Sequence, residues 1–432
     1  MSNCWTRLVI VVLLIIAAIL SYVDRGNLSV VLPEISAAFH LNDRQLGQLA
    51  SAFFWSYALF NVVMGWGADR YSPKWLFAWG FFIWTLATLA MGFANGFVML
   101  FCLRLLLGVG ESVVYPAISR ILLDHFPEEK RGLPNALIAA GTKIGPAISI
   151  AIAGPILFRW GWRELFILTG AVSLLWLVPW VVFVPNTHSK KERGLEPDSN
   201  VKFGELMTQL PFWGTTIGFF SFGYAVYFLI TWLPSYLELD RHFSKEKMLV
   251  LGQIPFWVMG GVTVVFGFLG DGLVQRGFSA TFSRLTFLVG GLSLCGISLL
   301  AVPFTSSDDL CIVWLALACA GLGMFSANAW AITQTLAGEH AAGKWSGVQN
   351  AIGNLGGAAT SIITGEILQR THSYNNAFFV AAGILLAGIL SYALLVRNVR
   401  EILWEMAGES FPVSSLKTTA SLIGDEGQSS NK

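Results

Sequence analysis

The sequence predicts an all-α membrane protein in which twelve transmembrane helices form two six-helix, pseudo-symmetric bundles. The first observation is composition: 55% of the 432 residues are hydrophobic and only 12% are charged, whereas soluble domains carry about 25% charged residues. The second is a series of stretches without Asp, Glu, Lys or Arg that reach the roughly 20 residues needed to cross a bilayer as a helix. The net charge of +1 gives no indication of nucleic-acid binding.

The twelve predicted spans follow one another with mostly short connections. They are residues 7–37, 46–67, 75–92, 97–122, 133–157, 164–184, 211–237, 247–269, 282–303, 310–335, 346–368 and 375–397. The solvent for these apolar surfaces is expected to be the lipid bilayer.

A third observation divides the spans six and six. Residues 185–205 form the longest polar interruption before the C-terminal tail. We therefore predict an N-terminal bundle over 1–184, a cytoplasmic linker over 185–210, a C-terminal bundle over 211–400 and a polar cytoplasmic tail over 401–432. With both termini inside, sixteen Lys and Arg residues lie on the cytoplasmic side and seven on the outer side, as the positive-inside rule requires.

The two halves share short repeated patterns. Between spans 2 and 3 the sequence reads GWGADRYSPK (65–74), and between spans 8 and 9 it reads GFLGDGLVQR (267–276). Both have Gly, then Asp four residues later, then a basic residue five further on. A second match lies in and just before span 5. Its three glycines recur in the second half at an offset of 211 residues: Gly132, Gly145 and Gly154 match Gly343, Gly356 and Gly365. These matches indicate an internal duplication, which is typical of transporters whose site lies where the halves meet.

At this point the chain resembles the major facilitator superfamily over nearly its whole length. GWGADRYSPK is similar to the superfamily's signature between helices 2 and 3, and GFLGDGLVQR is a partial second copy in which Gly272 replaces the usual arginine. The resemblance implies that Asp69 and Arg70 belong to a cytoplasmic latch that holds one state of the transport cycle. It gives Asp271 the equivalent place in the second half.

Three further stretches resemble the anion:cation symporter family, which includes bacterial sugar-acid transporters, sialin and the vesicular glutamate carriers. They are YVDRGNL (22–28), RLLLGVGESVVYPAISR (104–120) and NAIGNLGG (350–357). The predicted loop between spans 1 and 2 has no glycosylation sequon, which favours a protein of the bacterial inner membrane.

Five ionisable residues lie deep in predicted spans: Asp24, Arg25, Arg104, Glu111 and Lys143. A charge at a helix centre costs about 2.5–3.5 kcal/mol on insertion scales, so such groups usually face a cavity or one another. The alternative is a set of structural ion pairs that fix helix packing. Arg104 and Glu111 are seven residues apart, and therefore share one face of span 4.

Span 1 presents its two charges in different directions. Arg25 shares a face with Tyr22, whereas Asp24 points about 100° away from Arg25. We expect Asp24 to meet another helix, with Arg104 as its candidate partner. The planar guanidinium of Arg25 matches a carboxylate, so Arg25 is the candidate for binding a substrate carboxylate. In the resembling family, the positions of Asp24 and Glu111 are the coupling acids and that of Arg25 binds substrate.

Polar and aromatic side chains in other spans complete the candidate site. The substrate-binding candidates are Tyr22, Arg25, Tyr57, Arg104, Thr142, Tyr227, Trp330, Asn350 and Asn354, with Asp24 and Glu111 as proton carriers. For the aromatic residues the alternative is packing or anchoring at the membrane interface, and for the asparagines it is helix–helix hydrogen bonding. Lys143 could be a second anion contact, could pair with Glu111 or Asp24, or could extend toward a wet cavity. If Lys143 lines the site, we expect either a substrate with two carboxylates or an electrostatic effect of Lys143 on one of the proton-binding acids.

The expected function is proton-coupled import of a small organic anion, foremost a sugar acid such as a hexonate or hexuronate, by alternating access. Sodium is not excluded as the coupling ion. We expect no cofactor, no metal, no enzymatic reaction and a monomer. The alternatives are an efflux carrier on the same fold, a membrane enzyme and a non-transporting nutrient sensor. The enzyme would need a catalytic or metal cluster, whereas the six histidines are scattered over loops. The sensor would need a sizeable signalling domain.

Overall fold

The computed structural model describes residues 4–126, 132–186, 201–396, 398–402 and 404. Within these ranges the regular secondary structure is helical, which confirms the predicted all-α fold class. Eleven stretches of the described residues are long and apolar enough to cross a membrane. Large apolar side chains such as Leu59, Trp79, Phe268 and Ile297 point outward, as expected of a surface that faces lipid.

The described residues of the first half form eight helices. Their bounds are α1 Cys4–Phe39, α2 Asp43–Arg70, α3 Pro73–Met91, α4 Phe97–Glu111, α5 Val114–His125, α6 Gly132–Arg159, α7 Trp162–Leu175 and α8 Leu177–Phe183. Predicted span 4 is therefore divided into α4 and α5, and predicted span 6 into α7 and α8.

From residue 201 onward the described part of the chain forms seven α-helices, including one in the predicted linker. Their bounds are α9 Phe203–Thr208, α10 Leu210–Ser235, α11 Lys245–Leu251, α12 Ile254–Gln275, α13 Ala280–Ala301, α14 Asp308–Thr371 and α15 Asn375–Leu395. A π-helical turn over Tyr236–Asp240 extends α10, and a 3-10 turn over Val302–Phe304 extends α13. Predicted span 8 is divided into α11 and α12.

Helix α14 combines predicted spans 10 and 11. Its backbone is interrupted at Gly338, where φ is +61°. Glycine adopts this region without the steric cost that a Cβ atom brings, so the chain reverses direction there with almost no loop. The part of α14 after Gly338 contains predicted span 11 and supplies the twelfth crossing. The residues that follow α15 return to this corner, where the Ile402 amide donates to the Leu336 carbonyl (3.0 Å).

The break between α4 and α5 follows from a proline. Pro116 has no amide hydrogen, so it cannot donate to the carbonyl of Ser112 four residues earlier. The side-chain amide of Asn61, on α2, donates to that carbonyl instead (3.2 Å). The irregular turn therefore starts immediately after Glu111, and a neighbouring helix stabilises it.

In the described residues, helices of the two halves meet through α2 with α14, α6 with both α12 and α11, and α1 with α10. The backbones of α2 and α14 approach closely at Gly47, where an added Cβ would lie 2.5 Å from the Ser361 carbonyl oxygen and where Gly365 is the facing residue. At the same end of the molecule, Arg44 pairs with Glu366 (2.7 Å) and Lys245 pairs with Glu34. The halves are thus joined tightly at the end that carries the α1–α2 connection.

Candidate functional site

The centre of the molecule contains a buried ion pair between Arg25 of α1 and Glu111 of α4. The Arg25 Nε donates to the Glu111 Oε2 at 2.8 Å. Arg25 is 4% exposed and Glu111 is 0% exposed. Sequence reasoning placed both residues in the site, on different helices, but did not predict that they pair with each other.

Arg25 also reaches across to the second half. Its Nη1 donates to the Tyr227 hydroxyl at 2.8 Å, and that hydroxyl donates to the Asn354 Oδ1 at 3.0 Å. The Asn354 side-chain amide in turn donates to the Asn350 backbone carbonyl at 2.8 Å. One hydrogen-bonded chain therefore links α1, α4, α10 and α14, and it brings together five of the predicted site residues.

Aromatic rings surround the Arg25 guanidinium. Its Cζ lies 4.4 Å from the ring centre of Tyr22, 4.6 Å from that of Phe53 and 5.0 Å from that of Tyr57. Desolvated cation–π contacts of this kind stabilise a cation by about 2 kcal/mol or more. Tyr22 and Tyr57 were predicted site residues, and the structure places both beside Arg25.

Asp24 and Arg104 are both buried, but they do not form the predicted ion pair. No nitrogen–oxygen distance of 4.0 Å or less joins them, and neither carboxylate oxygen of Asp24 has a hydrogen-bond partner in the described part of the chain. Asp24 instead faces Thr88 and Trp84 on α3, with Arg104 and Glu111 near enough to interact electrostatically. Arg104 has its closest aromatic contact with Phe53, at 5.2 Å.

Close helix packing sets these positions. Gly108 lies against the Phe53 carbonyl and the Ser56 side chain of α2, where a side chain on residue 108 would collide with both. Gly223 and Gly353 bring α10 against α14 in the same way. The glycines of GVGE and NAIGNLGG thus place Glu111 and Asn354 at distances that larger residues would prevent.

The remaining predicted site residues have different surroundings. The Thr142 hydroxyl donates to the Ala139 carbonyl of its own helix (2.7 Å). Trp330 packs on Phe219 with ring centres 4.8 Å apart, and no described contact joins it to Arg25. Lys143 lies near Phe222 of α10, with its Nζ 5.2 Å from the ring centre. In the described residues no carboxylate lies within 4.0 Å of it, so the predicted alternatives of pairing with Glu111 or Asp24 are wrong for this conformation.

The predicted latch residues lie at the opposite end from the Gly47 contact. Asp69 and Arg70 form the last turn of α2, and the Asp69 side chain lies outside the described part of the structure. Asp271, on α12, approaches Arg284 of α13 with an oxygen–nitrogen distance of 3.6 Å. Both residues of that contact belong to the second half.

Sequence reasoning missed two aromatic residues of the site. Phe53 lies under both Arg25 and Arg104, and Tyr115 has its hydroxyl beside that of Tyr22. Helical spacing places Phe53 on the same face of α2 as Tyr57, four residues later, but it does not distinguish this phenylalanine from the others in the sequence.

Comparison with known proteins agrees with this architecture. The sequence model of the Major Facilitator Superfamily matches residues 14–361. The chain belongs to the Major Facilitator Superfamily. This confirms the resemblance found in the loop signatures, and it makes the protein a multi-pass membrane transporter and not an enzyme.

Several relatives are similar over nearly their whole length. A hexuronate transporter of Bacillus subtilis (strain 168) is 29% identical over 412 residues, covering 93% of this chain and 97% of the relative. A D-galactonate transporter of Escherichia coli O6:H1 is 28% identical over 420 residues, covering 92% and 97%. A probable galactarate/D-glucarate transporter of Escherichia coli (strain K12) is 30% identical over 428 residues, covering 91% and 94%.

A solved structure has the same fold. It is a bacterial homolog of the human lysosomal transporter Spinster, in an inward-facing and unoccupied conformation. It superposes with a TM-score of 0.68 at 18% identity and covers 92% of this chain and 96% of its own.

Proposed function

We propose that this transporter imports a sugar acid, in the size range of a hexonate or hexuronate, together with protons and by alternating access. The names of the similar proteins support this substrate class, because hexuronate, D-galactonate and galactarate/D-glucarate are all sugar acids. These relatives also support membership of the anion:cation symporter family within the superfamily.

The observation that carries the proposal is the position of Arg25, which contacts Glu111 on one side and Tyr227 on the other. A guanidinium binds a carboxylate through two parallel hydrogen bonds, and in this conformation one of its nitrogens is engaged by a protein carboxylate. The substrate carboxylate and the Glu111 carboxylate therefore compete for the same cation.

This competition provides a mechanism for coupling. When Glu111 takes up a proton it loses its negative charge, and Arg25 becomes available to an anion. When the substrate leaves, an ionised Glu111 again pairs with Arg25, because an unpaired buried charge is strongly unfavourable. Substrate binding and proton binding then favour each other, as symport requires.

Asp24 is the second proton carrier in this proposal. Its carboxylate is buried beside Thr88 and Trp84 and forms no ion pair of 4.0 Å or less in the described structure, and acids inside membrane spans commonly belong to proton pathways. The sugar hydroxyls would be bound by amide and hydroxyl groups that line the same space: Tyr57, Tyr227, Asn350 and Asn354. Thr142 and Trp330 contribute at its edges.

The glycines of α2 and α14 support alternating access. Gly65 is 18 residues after Gly47, and Gly347 is 18 residues before Gly365, so each pair lies on one helix face, about five turns and about 27 Å apart. An added Cβ would meet the facing helix at Gly47 and at Gly365, but nothing within 4 Å at Gly65 or at Gly347. The two helices meet at one end and separate toward the other, and the opposite state would close the Gly65–Gly347 end.

We place the closed end outside and the open end in the cytoplasm of a bacterial cell, with both termini and the linker cytoplasmic. In this orientation the described conformation faces inward. The protein would act as a monomer in which the two six-helix bundles rotate relative to each other about the Arg25 network. In the outward-facing state, the cytoplasmic end would be held closed by Asp69, Arg70 and Asp271.

Uptake into proteoliposomes tests the proposal. Purified full-length protein is given radiolabelled hexonates, hexuronates, aldarates, glutamate or sialic acid, with an inward proton gradient, an inward sodium gradient or neither. We expect uptake of a sugar acid that the proton gradient stimulates and the sodium gradient does not. If the protein takes up none of these acids, the proposed function is wrong. If only the sodium gradient stimulates uptake, sodium and not the proton is the coupling ion.

A further inference from the structure

Lys143 is a cation in the middle of the membrane that the proposed coupling mechanism does not use. It lies within one turn of the midpoint of the 28-residue helix α6. A charge at this depth costs several kcal/mol and is normally paired. In the described residues no carboxylate lies within 4.0 Å of Lys143.

The surroundings of Lys143 place it at the boundary between the two halves. Gly260 of α12 approaches so closely that an added Cβ would lie 4.0 Å from the Lys143 Cβ. Phe222 of α10 lies under the ammonium group, 5.2 Å from the ring centre. The residue as a whole is half-buried, and its ammonium group lies at the boundary between α6 and α10, beside Phe222.

Lys143 and Arg25 are directed toward the same part of the site. Tyr22 of α1 interacts electrostatically with both cations, and its Cβ packs against α6 at Gly145, two residues from Lys143, where an added Cβ would lie 2.5 Å away. Two cations that repel each other across one tyrosine gain stability when negative charge lies between them or beside both.

The net charge of the site also favours the presence of additional negative charge. Three cations, Arg25, Arg104 and Lys143, share the membrane centre with two acids, Asp24 and Glu111. When both acids are ionised the site has one excess positive charge. Protonation of one acid raises the excess to two, and an anion with two negative charges then neutralises the site. A monoanion would leave one positive charge buried and uncompensated, which is costly.

We propose that Lys143 binds a second anionic group of the substrate, so that the preferred substrate is a dianionic sugar acid with a carboxylate at each end. Arg25 binds one carboxylate and Lys143 the other. This inference rests on the proposed function and narrows its substrate, placing the monoanionic hexonates and hexuronates second. Lys143 is thereby a specificity-determining residue.

Two pairs of acids isolate the second carboxylate. D-Gluconate and D-glucarate differ only at C6, as do D-galactonate and galactarate, where a hydroxymethyl group replaces a carboxylate. Proton-driven uptake of each acid is measured in proteoliposomes containing full-length wild type, Lys143→Gln, Lys143→Arg and the control Lys247→Gln. The control makes the same charge change at the outer end, where Lys247 pairs with Asp308 (2.5 Å) within the second half.

We expect wild type to have a KM for the diacid at least about tenfold below that for the monoacid, equivalent to about 1.4 kcal/mol. Lys143→Gln should raise the diacid KM by about the same factor. It should leave the monoacid KM unchanged or lower it, because a monoanion then leaves no buried cation uncompensated, and either result abolishes the preference. Lys143→Arg should retain most of the preference, and Lys247→Gln all of it.

Wild-type preference for the monoacid, or an equal rise in both KM values in Lys143→Gln, would overturn the inference while leaving the proposed function intact. Failure of wild type to take up any of the four acids or a hexuronate would instead contradict the proposed function. If Lys143→Gln does not fold, as judged by size-exclusion chromatography, the wild-type preference and its retention in Lys143→Arg decide the question.

Discussion

Arg25 and Glu111 are 86 residues apart in the sequence, yet their side chains form a 2.8 Å ion pair that is almost completely buried. Such a pair contributes little net stability, because the desolvation of both charges offsets their attraction. In the proposed mechanism, each member of the pair can release the other and bind a transported ion instead. The proposed substrate carboxylate replaces Glu111 at Arg25, and the proposed proton replaces Arg25 at Glu111.

The first prediction concerns the geometry of Arg25. Arg25→Lys retains the charge but loses the planar fork that can donate to Glu111 and Tyr227 together. We expect substrate affinity to fall by roughly 10- to 100-fold, since a hydrogen bond to a charged group contributes about 1.5–3 kcal/mol. Equilibrium binding to detergent-solubilised protein measures this, and affinity within twofold of wild type would show that Arg25 does not bind substrate.

The second prediction concerns the hydroxyl that joins the two halves. Tyr227→Phe removes the group between Arg25 and Asn354, and we expect the KM for substrate to rise by roughly tenfold, equivalent to about 1.4 kcal/mol. Tyr224→Phe is the matched control. It lies on the same helix and is also buried, but its hydroxyl faces Thr360 and Thr364 of α14 and not Arg25. Equal effects of the two substitutions on KM would argue against a role for the Tyr227 hydroxyl.

The third prediction concerns the closed end of the molecule. Gly47→Leu forces apart α2 and α14, because even a Cβ at this position would lie 2.5 Å from the Ser361 carbonyl oxygen. Spin labels at the exposed positions Gln48 and Thr371, in a background without native cysteines, report the separation. We expect the mean distance to increase in Gly47→Leu. It should remain unchanged in Gly65→Leu, which adds the same side chain where nothing lies within 4 Å. An unchanged distance in both variants would contradict the assignment of the closed end.

The fourth prediction concerns the corner in α14. Gly338 has φ +61°, and an added Cβ would meet the Glu401 side chain. Gly338→Ala should lower the free energy of unfolding by about 1–2 kcal/mol, the cost of a left-handed conformation for a residue with a Cβ. Gly343→Ala is the control, because Gly343 is helical and has nothing within 4 Å; it should be neutral or stabilising by up to about 1 kcal/mol. Thermal unfolding in detergent compares the two, and equal stability would refute the strain argument.

Much of this architecture could be predicted because lipid imposes strict rules on sequence. Charge-free stretches identified the helices, and ionisable residues within them identified Arg25 and Glu111 as parts of one site. The partners were harder to predict. Helical geometry gives the direction in which Asp24 points, but not which neighbouring helix lies there, and that helix is α3 with Thr88 and Trp84. The contribution of Phe53 was also hidden, since one phenylalanine among 32 carries no individual signal.

Helix boundaries show the same division between predictable and unpredictable features. Pro116 marks the break after Glu111, but only the structure reveals that Asn61 satisfies the carbonyl the proline leaves free. The predicted spans 10 and 11 left residues 336–345 as their connection, whereas the structure makes the turn at a single positive φ, at Gly338, with helix on both sides of it. Side-chain hydrogen bonds and single backbone angles are set by packing, which periodicity does not encode.

The most direct test of the central claim is transport by Glu111→Gln in proteoliposomes, measured in two modes. One mode is uptake driven by an inward proton gradient, and the other is counterflow exchange without a gradient. The neutral glutamine side chain resembles the protonated acid, so we predict that counterflow survives while gradient-driven uptake falls to background. Gradient-driven uptake equal to that of wild type would contradict the role of Glu111 as the residue that couples proton movement to substrate binding at Arg25.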